Sequence, residues 1–94
     1  MKNATGFEAL EVWKEARKFN SMIIDLCKAM PAEEKFRLID QIKRSSRSVT
    51  ANIAEGYGRF HYVDNIKFCR NARGSLHETW DHLTVALDEN YIIN

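Results

Sequence analysis

The sequence predicts an all-α protein built from three long antiparallel helices, with the start of a further element after Tyr91. Three observations predict it. Four glycines and one proline punctuate 94 residues, which leaves few places to turn and long segments between them. Apolar residues recur at steps of three and four in three stretches, and no stretch reads as a strand. The composition, 45% hydrophobic and 29% charged, supports a folded core and excludes intrinsic disorder. The length suits one domain, residues 1–94, and is too short for two.

The first helix is predicted over about residues 8–30. Trp13, Ala16, Phe19, Ile23, Leu26 and Met30 form its apolar face, while Lys14, Arg17, Lys18, Asp25 and Lys28 fall mostly elsewhere. Met30-Pro31 closes it, because a residue preceding proline is pushed out of helical geometry. Pro31 suits the first turn of a second helix over about 32–55, with Glu33 and Glu34 where the helix dipole favours acids. Ile39, Ile42, Val49 and Ile53, with Ser46, make its stripe. Arg37 and Arg44 point away from that stripe. Ser45, Ser48 and Asn52 line one flank, where small side chains let another helix approach. Gly56 and Gly58 end the helix where a left-handed residue is expected. The third helix is predicted over about 63–90, with Asp64 in its first turn and a stripe of Cys69, Ala72, Leu76, Trp80, Leu83 and Leu87. Gly74 costs this helix about 1 kcal/mol relative to alanine, so close packing is expected at the Gly74-Ser75 step.

A net charge of +1 hides strong sorting along the chain. Residues 35–73 hold nine basic groups against Asp40, Glu55 and Asp64, whereas residues 74–94 hold four acids and no Lys or Arg. A chain sorted this way presents a basic and an acidic face once folded. The amino terminus has no apolar signal core and no run approaches the roughly 20 apolar residues that cross a bilayer, so a cytoplasmic protein with no membrane partner is expected. Cys27 and Cys69 carry no metal-ligand spacing and are expected as a reduced, buried pair.

Enzymatic motifs are weak. His77-Glu78-Thr79-Trp80-Asp81-His82 approaches the HExxH pattern of zinc peptidases, but Asp81 stands where the second histidine belongs and no third ligand suggests itself. Paired Glu-x-x-His motifs, a dinucleotide fingerprint, GxSxG and a Walker lysine are all missing. The sequence therefore predicts no enzyme, no catalytic residue, no metal and no cofactor. The basic cluster is more informative. Lys43, Arg44 and Arg47, with Arg59, Lys67, Arg70 and Arg73 beyond, suit phosphate contacts that displace counterions. Tyr57, Phe60 and Tyr62 interleave with them and can stack on unpaired bases. The predicted contact set is Lys43, Arg44, Arg47, Arg59 and Arg70. The alternative is that these charges serve protein–protein assembly, with no nucleic acid involved.

Gln41-Ile42-Lys43-Arg44-Ser45-Ser46, Asn52-Ile53-Ala54-Glu55-Gly56-Tyr57-Gly58-Arg59 and Arg73-Gly74-Ser75-Leu76-His77-Glu78 resemble the signature of a bacterial family, the 23S ribosomal RNA intervening-sequence proteins. Phe7, Leu10, Val12, Trp13 and Ala16 resemble its opening. The resemblance implies an antiparallel up-and-down four-helix bundle assembling into a homopentamer. This chain would supply three long helices, with the fourth missing or truncated after Tyr91. It implies structural roles for Asn52, Glu55, Gly56, Gly58, Gly74, Ser75 and Glu78. A related branch, the accessory protein of diversity-generating retroelements, implies nucleic-acid binding and a reverse transcriptase partner.

Overall fold

The computed structural model describes residues 6–59 and 61–92. They form three α-helices, α1 Glu11–Cys27, α2 Leu38–Tyr57 and α3 Tyr62–Asp88, with single 3-10 turns at Phe7–Ala9 and Ala32–Glu34. Among the described residues there is no strand, as the periodicity predicts. The expected boundaries of the first two helices need correction. Leu10 takes extended geometry (ψ 128°) and separates the opening turn from α1, whose last turn tightens through Met30 N–H to Cys27 O at 3.1 Å. Pro31 precedes the 3-10 turn instead of opening α2, because Arg37 (φ −122°, ψ −104°) breaks the chain again. α2 begins at Leu38, whose N–H donates to Glu34 Oε1 at 3.3 Å. That carboxylate satisfies one donor that a helix start leaves open.

α3 ends in a Schellman motif. Asn90 takes the left-handed conformation at φ 61°. Tyr91 N–H returns to Ala86 O at 2.9 Å and Asn90 N–H to Leu87 O at 3.0 Å, the paired bonds that satisfy the orphan carbonyls of a helix end. Tyr91 and Ile92 then fold back onto the main core. Ile93 and Asn94, also expected to start a further element, lie outside the described residues.

That core sits at one end of the molecule. Ile23 and Cys27 of α1 and Met30 just beyond it meet Leu38, Ile39 and Ile42 from the start of α2 and Ala86 from the end of α3. Ile42 is fully buried, and removing such a side chain from water stabilises by about 1.5–3 kcal/mol.

α2 and α3 pack along a seam of small residues. Fully buried Thr79 donates from Oγ1 to Ser45 Oγ at 2.7 Å, and Ser75 Oγ donates to Ser48 Oγ at 2.8 Å. Asn52 Nδ2 donates to both Ser48 O and Ser48 Oγ. The expected small flank of α2 is thus the α3 contact. α1 joins α2 on another side, where fully buried Ser46 donates to Asn20 Oδ1 at 2.7 Å. Because small residues occupy both sides of the α2–α3 seam, the backbones approach closely and the hydroxyls satisfy one another.

The glycines also differ from expectation. No described glycine has positive φ. Gly56 lies inside α2 and is buried, and a Cβ there would meet Asn65 Oδ1 at 2.7 Å and Phe68 Cβ at 3.1 Å. Its role is close approach, not a left-handed turn. Gly58 caps α2 at φ −77°. Around Gly74 an added Cβ meets nothing within 4 Å, so the close packing expected at this step belongs to Ser75 alone.

Candidate interaction surfaces

The predicted stripe of α3 is buried only in part, at Ala72 and, half-buried against the core, at Leu83. Ala72, Thr79 and Ala86 are buried, with Ser75 half-buried beside them, a seven-residue repeat of small side chains. Leu76 and Trp80 are exposed, Trp80 at 69%. Cys69 is exposed as well, while Cys27 is buried; both thiols are free. The larger residues lie about 60–100° around the helix from the seam, at 100° per residue. Both α1 and α3 pack on α2, yet no Cα of α1 comes within 8 Å of one in α3. Beyond the core they share at one end, an apolar groove separates them. One part, about 430 Å³, is walled by Leu10, Val12, Val49, Ile53, Tyr57 and Leu76 among others. A second, about 300 Å³, lies between Phe19 and Leu76, His77, Trp80 and Leu83.

The predicted basic residues lie on α2, just beyond its end, and on α3. Lys43 is half-buried and close enough to Cys27 for its charge to act on that thiol. Arg44 and Arg47 are exposed on the outer face of α2, and Arg44 Nε bonds Asp40 Oδ2 at 3.0 Å. Arg59 reaches back to Glu55 Oε2 at 3.1 Å and lies over the Phe68 ring at 4.7 Å. Arg70 is exposed on α3, about 180° from the Thr79 line at 100° per residue. Among the described residues, no carboxylate lies within 4 Å of Arg47, Lys67, Arg70 or Arg73. Arg73 shares a depression of about 370 Å³ with Arg70, Tyr62, Asn65, Ile66 and Cys69. Arg73 belongs to the basic cluster read from the sequence, outside the predicted contact set of Lys43, Arg44, Arg47, Arg59 and Arg70. Phe60, expected to interleave with these charges, lies outside the described residues.

The motif residues divide by position. Asn52, Gly56 and Ser75 belong to the α2–α3 seam. Glu55 pairs with Arg59, and exposed Glu78 lies 3.3 Å from His82 Nε2. His77 stands edge-on to Trp80 at 6.2 Å. Among the described residues no three His, Cys, Asp or Glu side chains gather as a metal site.

Two titrating sites flank the core. Tyr91 Oη donates to Glu34 Oε2 at 2.7 Å. That bond, helped by the Leu38 N–H, holds the Glu34 carboxyl below its ordinary range, and the same bond is the main reason the Tyr91 phenol is pushed up to about 12. Burial raises the Cys27 thiol, opposed by the Lys43 charge.

No helix of the described residues is long and apolar enough to cross a membrane. No curated protein matches the chain. The family model described as 23S rRNA-intervening sequence protein matches residues 8–94, a span containing all three helices, the small-residue seam and the basic residues. The resemblance read from the motifs is therefore correct, and the chain belongs to the 23S rRNA-intervening sequence protein family.

Proposed function

We propose that this chain is a non-enzymatic, cytoplasmic, oligomeric helical module, completed to four-helix packing by one further amphipathic helix lodged between α1 and α3. The observation that carries this reading is the apolar groove on α2, with Trp80 69% and Val12 59% exposed at its walls. A helix seated there would contact both outer helices and remove these side chains from water. Monomeric proteins rarely leave contiguous apolar surface of this kind uncovered. The two free thiols support a reducing compartment. Light scattering on the 94-residue chain tests the assembly. The expected result is self-association that Leu76→Glu with Trp80→Glu reduces to monomer, both residues being exposed in the isolated chain. A wild-type chain that stays a soluble monomer would overturn the proposal.

A second reading, contact with RNA or DNA through the basic α2 and α3 surface, is favoured by Arg47, Lys67, Arg70 and Arg73, which have no carboxylate partner among the described residues. Arginines not already paired with carboxylates are available to phosphates. Reversing Arg47 and Arg70 to Glu should abolish binding to structured ribosomal RNA while helical content is kept. Binding that persists, or that shows no salt dependence, would refute it.

A further inference from the structure

We infer that the α3 depression beside Tyr62 accepts one unpaired nucleotide of a single strand, an inference that rests on the nucleic-acid reading above. Tyr62, Ile66, Cys69, Arg70 and Arg73 line one side of the first three turns of α3. Tyr62 is 77% exposed. A bare aromatic ring at a helix start offers its face to a planar ligand, and every base has a π-face. In a duplex those faces are covered by neighbouring pairs, so a ring on a convex helix surface can reach only an unpaired base.

The volume, about 370 Å³, lies within the roughly 300–1,000 Å³ of small-ligand sites. Along α3, Ile66 and Cys69 line it between Tyr62 in the first turn and Arg70 and Arg73 further along the helix. Stacking surface lies at one end and cations at the other, matching the base and phosphate of one nucleotide. Asn65 accepts from Cys69 Sγ at 3.5 Å through its Oδ1, which leaves its amide N–H groups to meet a base edge. Arg44 and Arg59 lack this arrangement, each holding a carboxylate of α2.

The test uses the whole chain, fluorescence anisotropy, and a labelled uridine 12-mer against a blunt RNA duplex of equal length. Single strand should bind at least about tenfold more tightly than duplex. Tyr62→Leu should weaken single-strand binding about tenfold, within the range for losing one stacked base, and leave duplex binding unchanged. Arg70→Gln and Arg73→Gln should each lower the slope of log affinity against log salt by about 0.7 on single strand. Equal affinity for both probes, with Tyr62→Leu silent, overturns this inference and leaves phosphate contact by the basic surface standing. No binding of either probe at low salt overturns both. Far-ultraviolet circular dichroism of Tyr62→Leu, an exposed position, shows whether helix is retained; His61→Leu, also exposed but outside the depression, should leave binding unchanged.

Discussion

The α2–α3 seam makes a prediction that a purely apolar seam would not. Thr79 is fully buried and Ser45 nearly so, and Thr79 Oγ1 lies 2.7 Å from Ser45 Oγ. Ser45 in turn donates to Ile42 O at 3.1 Å, and Thr79 Oγ1 is 2.9 Å from Ser75 O. Thr79→Val keeps the shape of the side chain and deletes the hydroxyl. Ser45 loses its incoming donor but keeps its own acceptor, so the cost is about one net hydrogen bond, about 1 kcal/mol. Ser45→Ala removes the acceptor while Thr79 retains Ser75 O, again at about 1 kcal/mol. The double variant removes the same bond once, so it should cost about 1 kcal/mol less than the two singles combined. Urea unfolding followed by circular dichroism, at one fixed protein concentration because association shifts apparent stability, reads all four corners of the cycle. The ladder is refuted if the single effects add to within about 0.3 kcal/mol. It is refuted equally if Thr79→Val stabilises, since burial of the extra apolar surface would then outweigh any hydroxyl pairing.

Other consequences follow from the same packing. Gly74→Ala should stabilise by about 0.5–1 kcal/mol, because the new Cβ meets nothing within 4 Å and a helix-interior glycine is disfavoured; a lower midpoint in thermal unfolding would mean that this face is covered. Cys69 should react with a thiol reagent at once and Cys27 only on unfolding, since one is exposed and the other buried with its thiol raised by that burial; two thiols reacting at equal rates would contradict the core. The Tyr91–Glu34 bond should make stability fall at both pH extremes. Glu34 is lowered on folding, so its contribution is present above its unfolded range near 4.5 and lost as pH falls through the folded one; Tyr91 is raised to about 12, so its contribution is complete below pH 10 and lost between 10 and 12. Tyr91→Phe should flatten both arms in a pH series of melting temperatures, and unchanged arms would remove the bond from the account.

The helices themselves were legible because their signals are local. Spacing located three apolar faces, and Ser45, Ser48 and Asn52 correctly announced a close neighbour on their flank. The errors arose where local rules met tertiary context. Pro31 permits a helix start, but Glu34 gains more by folding its carboxylate onto Leu38 N–H and Tyr91 Oη, which moves the start seven residues on from Pro31. Gly56 was read as a stop because glycine often supplies positive φ; here Phe68 and Asn65 across the seam exclude a Cβ instead. Charge type could not show that Arg44 and Arg59 are held by Asp40 and Glu55 while Arg73 stands with Arg70.

The most consequential error concerns α3, and its physics bears on assembly. Periodicity favours large apolar residues, so the predicted stripe took in Leu76, Trp80 and Leu83 beside Ala72 and left out Ser75 and Thr79. The fold instead places the small residues against α2, where hydroxyl pairing replaces apolar contact and lets the backbones approach. The large stripe is then left facing the groove opposite α1. A helix carrying two distinct faces of this kind, one small and satisfied, one large and exposed, is suited to two neighbours. α2 is the first. Under the proposed assembly the second is the further amphipathic helix, which would need an apolar face matched to Phe19 and Val12 on one side and to Trp80 on the other.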